Sequence, residues 1–154
     1  MIDSIRDIIE DVLDGLEDAG IKKTKEASDL VFETGMAESG YRALEGYGSG
    51  NPAVSFWQIE PATIRDMWEN YISYRKPLIE ATYKLGLIEE KKEFSIFSNI
   101  ALASAFCRIH YRRQPGAIPK TMEGRAKYWK KFYNTELGRG TIKHYVEANM
   151  EFQK

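Results

Sequence analysis

The sequence predicts a mainly α fold, one domain spanning residues 1–154, with a single glycine-rich irregular lobe. Three observations carry that expectation. Apolar residues recur at three- and four-residue spacing along most of the chain, the pattern that lays side chains along one stripe of a helix. Capping and breaking residues bound the periodic stretches. The main departure is a cluster of Gly40, Gly46, Gly48 and Gly50 interspersed with Tyr41 and Tyr47.

Ile5, Ile8, Ile9, Val12, Leu13 and Leu16 form the stripe of a first helix, interrupted at Gly20. Thr24 is placed to cap a second, whose apolar positions include Ala27, Leu30, Val31 and Met36, with Gly35 near its end. From Gly40 to Asn51 the glycines disfavour a helix and permit turns, so a long surface segment or a small irregular lobe is expected, with room for short strand pairing. Pro61 favours a new helical start, followed by Ile64, Met67, Trp68, Tyr71 and Ile72. Pro77 can start another helix toward Leu85 and Gly86, and Glu89-Glu90-Lys91-Lys92-Glu93 reads as solvated connecting surface. Ser95 is expected to cap a later helix containing Ile96, Phe97, Ile100, Leu102, Ala103, Phe106 and Ile109. That helix is apolar on more than one face, which suits a central position. After the break at Gln114-Pro115-Gly116-Ala117-Ile118-Pro119, two final helices are expected. One holds Tyr128, Trp129, Phe132 and Tyr133, the other Ile142, Tyr145, Val146 and Met150, joined through Leu137-Gly138-Arg139-Gly140. The total is six or so helices around one core.

A chain of 154 residues can bury one substantial core, and 43% hydrophobic with 29% charged residues is a folding composition rather than a disordered one. Twenty-two basic residues against 23 acidic ones give a formal charge of -1, which argues against general capture of nucleic acid. The clusters Arg108, Arg112, Arg113 and Lys127, Lys130, Lys131 read as solvated helix faces. The single cysteine, Cys107, reads as a buried small hydrophobe and permits neither an intramolecular disulfide nor a cysteine-rich zinc site. Met1 to Asp7 is amphipathic and acidic, so it reads as neither a signal peptide nor a membrane span. His110 and His144 lack the spacing of a histidine-glutamate zinc site, and neither a phosphate loop nor a nucleophile elbow is present.

The chemically informative region is Glu38-Ser39-Gly40, followed beyond the glycines by Ser55-Phe56-Trp57-Gln58-Ile59-Glu60-Pro61. Here the chain resembles the lysozyme-like soluble lytic transglycosylases, including cell-wall-cleaving modules of bacterial viruses. In that family a glutamate-serine pair closes a helix, and a glycine-x-x-glutamine-x-x-proline stretch follows. Glu38-Ser39 matches the first element, and Gln58 with Pro61 matches most of the second. Ser55 stands where the family has glycine, and the helix starting near Asn99-Ile100 looks like the family's third conserved helix. The resemblance covers residues 26–112; beyond it, Tyr133-Asn134-Thr135 only echoes the family's tyrosine-asparagine-alanine-glycine signature.

A physical case for Glu38 exists beside the resemblance. A carboxyl near the end of an apolar helix can face a cleft while its neighbours desolvate the charged form, which favours the acid needed to protonate a glycosidic oxygen. The alternative is an exposed helix terminus. A hydrolase needs a second carboxylate. Glu33, Glu45, Glu60 and Asp66 are available, but Glu33 lies about 140° around an ideal helix from Glu38.

The resemblance implies a lyase in which one glutamate, here Glu38, acts first as acid and then as base. It implies no cofactor, and a lysozyme-like single domain. The substrate-side candidates each carry two readings. Gln58 can bond sugar or bridge two loops. Ser39 can orient Glu38 or cap backbone. Tyr41, Tyr47 and Trp57 can form a saccharide platform or pack the interior, and Asn99 can hold an acetamido group or satisfy a buried turn.

The expected function is cleavage of bacterial peptidoglycan between N-acetylmuramic acid and N-acetylglucosamine by a phage-associated lytic transglycosylase. The expected partners are peptidoglycan and virion or tail proteins, without nucleic acid or a membrane span. The expected location is the virion, or the host cytoplasm before release. Two alternatives stand beside it: a hydrolytic muramidase, and a non-catalytic virion or tail structural protein.

Overall fold

The computed structural model describes residues 1–46 and 50–152, so the expectations placed on Tyr47 and Gly48 lie outside the described residues. Eight α-helices make up the described chain: α1 (Ile2–Asp18), α2 (Lys25–Ser39), α3 (Pro61–Asn70), α4 (Lys76–Lys84), α5 (Lys92–Ser98), α6 (Ile100–Arg112), α7 (Met122–Trp129) and α8 (Ile142–Asn149). None is long and apolar enough to cross a membrane.

The predicted stripe of α1 is the buried one: Ile5, Ile9, Val12, Leu13 and Leu16 face α6 and α2. Thr24 caps α2 by accepting the Ala27 N–H at 3.0 Å. At the other end Gly40 takes a left-handed φ of 60° and donates its N–H to Gly35 and Met36, the usual way a helix closes. Helix α2 is buried over most of its circumference, as is α6 from Leu102 to Ile109, and the remaining helices pack around these two. Cys107 is buried as expected. Pro61 and Pro77 each sit in the first turn of a helix, where a missing N–H costs nothing.

Two expectations fail for local reasons. The later helix is not capped by Ser95. Ser95 lies inside α5, where its hydroxyl donates one turn back to Lys91 O at 2.9 Å and accepts the Ile88 N–H at 2.8 Å. Asn99 supplies the break. Its backbone is extended, its Oδ1 accepts Leu102 N–H at 2.9 Å and its Nδ2 donates to Leu85 O at 2.7 Å. Arg108 likewise leaves the solvated face assigned to it; it is buried, with Nη2 reaching Lys22 O at 3.4 Å.

The lobe between α2 and α3 is irregular, as predicted. Isolated antiparallel bridges join Glu45 to Val54 and Val54 to Ile59, closing residues 54–59 into a tight reversal. Its two turn-forming positions, Ser55 (φ 73°) and Gln58 (φ 50°), are both left-handed. Ser55 therefore adopts the backbone that favours glycine, at the position where the resembled family has one. Such a residue stores on the order of 1 kcal/mol of strain, and neighbouring bonds must hold it. Those bonds are Ser55 N–H to Leu44 O at 2.8 Å and Trp57 N–H to Ser55 Oγ at 3.2 Å.

The C-terminal third adds a second, smaller core of Ala37, Met122, Ala126, Trp129 and Tyr145, packed beside the end of α2. Helix α7 does not stop cleanly but widens into a π turn over Lys130–Asn134, ending at Thr135 with φ 66°. Lys130 Nζ fastens this turn to Asn134 Oδ1 at 2.7 Å and to Gly138 O at 3.0 Å.

Candidate active site

A cleft of about 1190 Å³ opens between two walls. One wall is the end of α2, the lobe and the first turn of α3, contributing Glu38, Asn51, Gln58, Glu60 and Thr63; the other is built from α7, its π turn, the following loop and α8. That second wall supplies Trp129, Tyr133, Asn134, Thr135, Arg139, Thr141 and His144, with His110 of α6 also lining the cleft.

Glu38 is half-buried in the last turn of α2. Burial pushes its carboxyl up to about 7, and the only opposing influence is the indole N–H of Trp129. That influence falls short of a formed hydrogen bond, because Trp129 Nε1 is buried with no partner in bonding geometry. Among the described residues no cation contributes to stabilising the charged form. Near neutral pH this carboxyl is therefore divided between proton-bearing and ionised forms, the condition under which one group can give and then take a proton.

Gln58 lines the same cleft as Glu38. Its amide nitrogen donates to Ser55 O at 2.9 Å and Glu45 O at 3.1 Å, which is the loop-bridging role. Its Oε1 makes no hydrogen bond among the described residues.

The other candidates are moved. Ser39 is buried, and its hydroxyl donates to Phe56 O at 2.7 Å while accepting Tyr41 N–H at 3.1 Å, which ties the end of α2 to the lobe. Tyr41 and Trp57 are core residues rather than a saccharide platform. Tyr41 donates its hydroxyl to Phe32 O at 2.8 Å, Trp57 donates its indole N–H to Val31 O at 2.8 Å, and their rings pack edge to face at 5.6 Å. Gly35 is bare because a Cβ there would collide with the Tyr41 phenol. Asn99 caps α6 away from the cleft, so the acetamido role is withdrawn. Tyr47 lies outside the described residues.

The stretch 128–133 reads from sequence as core packing, with extension of a groove or attachment to another protein as alternatives. Trp129 and Tyr133 prove to be packed and to line the cleft, while Thr135, Arg139, Thr141 and His144 were not anticipated there. Tyr133 stacks on Tyr111 at 5.3 Å, meets the His110 ring edge-on at 5.1 Å and donates its hydroxyl to Trp57 O at 2.5 Å. The signal for it was the Tyr133-Asn134-Thr135 echo. His144 places Nε2 2.8 Å from Ala37 O, one residue from Glu38, and His110 places Nε2 3.0 Å from Phe132 O. Burial pulls the His110 pKa down, which favours the neutral ring.

A buried ion pair holds this wall in place. Arg125 donates from Nε and Nη2 to the two oxygens of Glu33 at 2.7 and 2.9 Å. Tyr145 adds its hydroxyl to the same carboxylate at 2.8 Å, and Asn149 donates to Glu33 O at 3.1 Å. Helices α7 and α8 are thereby pinned to α2. Among the described residues no three His, Cys, Asp or Glu side chains converge as a metal site.

No protein-family model, curated protein or solved structure matches this chain.

Proposed function

We propose that this protein is a lysozyme-like peptidoglycan lytic transglycosylase with Glu38 as its single acid and base. The observation that carries the reading is an uncompensated carboxyl, raised to about 7, in the wall of a cleft of about 1190 Å³ shared with Gln58. The cleft is large enough for several sugar rings, and its walls mix aromatic and amide groups of the kind that bind saccharides.

In the first step the Glu38 acid gives its proton to the glycosidic oxygen between N-acetylmuramic acid and N-acetylglucosamine. The C1–O bond breaks, its electron pair leaves with the protonated oxygen, and the 2-acetamido carbonyl closes on C1. The Glu38 carboxylate then takes the proton of the muramyl 6-hydroxyl as O6 attacks C1 and the acetamido group departs. A 1,6-anhydro ring results and Glu38 is again an acid. No second carboxylate is required.

Hydrolysis is the second reading, favoured by one observation: Glu60 is exposed and lines the same cleft, so a carboxylate is available to activate water. The resemblance extends the proposal to work on the host wall from a virion or tail, where the same scaffold without turnover would be a structural component. Incubation with purified peptidoglycan, followed by mass analysis of the soluble fragments, separates the three. Anhydro-muropeptides support the lyase, and reducing-end products that disappear in Glu60→Gln support the hydrolase. A folded protein that releases nothing supports the structural component.

A further inference from the structure

Trp129 is 1% exposed, lines the cleft and has an indole N–H without a bonding partner. A buried donor left unmade is costly, and native proteins retain few of them without a reason. The ring cannot readily turn away. It packs on Tyr145 at 5.2 Å, sits with Ala37, Met122 and Ala126 in the smaller core, and occupies the space where Gly140 lacks a Cβ. Tyr145 is itself fixed by its bond to Glu33, which Arg125 clamps from α7. Through Ala37 this assembly abuts the residue next to Glu38.

We infer that Trp129 is a positioning residue for the cleft acid: its N–H, oriented by the Glu33–Arg125–Tyr145 network, receives the Glu38 carboxylate after the proton has gone. To the proton-bearing acid the indole can offer only a neutral bond, to the anion a stronger charge-assisted one, so the donor favours proton release over proton retention. The direction agrees with the lowering influence of Trp129 on Glu38. The inference gives the proposed acid–base cycle its resting place for the anion, and it rests on that reading only for its catalytic meaning.

Other groups around Glu38 must be tracked in the test: Cys107, His110 and Tyr111 of α6, Tyr133 of the π turn, His144 of α8, Glu60 of the lobe and Arg139 of the C-terminal loop. The experiment is an NMR titration of the whole protein, following the Glu38 side-chain carboxyl carbon, the Trp129 indole N–H and the two histidine rings. In the native protein the indole proton is expected to move downfield with the midpoint of Glu38, and to lose that movement in Glu38→Gln. In Trp129→Phe, which keeps a ring and removes the donor, the Glu38 midpoint is expected to rise by roughly half a pH unit, an acid about threefold weaker. An indole resonance that stays flat while Glu38 titrates overturns the inference, as does one that follows a histidine midpoint. An unchanged Glu38 midpoint in folded Trp129→Phe does the same. Should that variant fail to fold, the native titration decides alone. A coupled titration in a protein that cleaves no peptidoglycan would uphold the pairing and sink the lyase.

Discussion

Helix α2 carries two carboxylates, Glu33 and Glu38, whose surroundings differ in almost every respect. Glu33 is buried and fully met, with a two-point Arg125 clamp and the Tyr145 hydroxyl. Glu38 is half-buried in the cleft wall and, among the described residues, no cation eases its charge, which is opposed by desolvation and favoured only by one unbonded indole N–H. Five residues of helix, about 140° of rotation, separate a carboxylate clamped by a cation from one that burial pushes toward its proton-bearing form.

The largest expected effect of breaking the contrast is on activity. Glu38→Gln keeps the shape and removes the transferable proton, and is expected to reduce cleavage by roughly 10³-fold, within the usual contribution of a positioned acid. The check is the rate of soluble fragment release.

Next comes the Glu33 end. Arg125→Leu would leave Glu33 buried and uncompensated, costing about 3–5 kcal/mol of stability, while removing both charges as Glu33→Met with Arg125→Leu should cost much less. Urea denaturation of the single and double variants checks this, and equal losses would mean that packing rather than charge holds the second wall.

A smaller effect sharpens the comparison from the stability side. The folded pKa of Glu38, about 7, lies above the ordinary 4.5, so the native state holds its proton more tightly than the unfolded chain does. This contribution is complete below pH 4.5 and is lost as pH rises through 7. Glu38→Gln has no such loss, so it should be the more stable protein at pH 8, by at most about 3 kcal/mol, with the advantage fading toward pH 4. Thermal denaturation across that range reads the difference.

The smallest effect concerns a residue now outside the site. Asn99→Ala removes the cap of α6 and should cost about 1 kcal/mol while leaving cleavage unchanged. A selective loss of activity would return Asn99 to the substrate side.

The helices were legible because their stripes and caps are local: the Ile5 to Leu16 stripe, Thr24 at the start of α2 and the prolines of α3 and α4 all stand where the spacing puts them. Asn99 was legible as a helix start with a buried-turn role, but Ser95 offers an equally good local cap, and only the Asn99 bonds to Leu102 N–H and to the distant Leu85 O decide between them. In the site, Glu38 and Gln58 were legible from motif and chemistry. Tyr41 and Trp57 were ambiguous because an aromatic ring suits a sugar or a core alike, and their bonds to Phe32 O and Val31 O settle them as core. The aromatic stretch 128–133 was legible as core or groove, but the placement of the second wall was hidden because Arg125 meets Glu33 and His144 meets Ala37 across long stretches of chain, which no periodicity encodes.

The most direct test of the central claim is the pH dependence of anhydro-muropeptide release from purified peptidoglycan, measured with the native protein and Glu38→Gln. A desolvated Glu38 acid predicts that release falls as pH rises past about 7 and is nearly abolished in the variant at every pH. Native and variant proteins with the same rate and the same profile would contradict it.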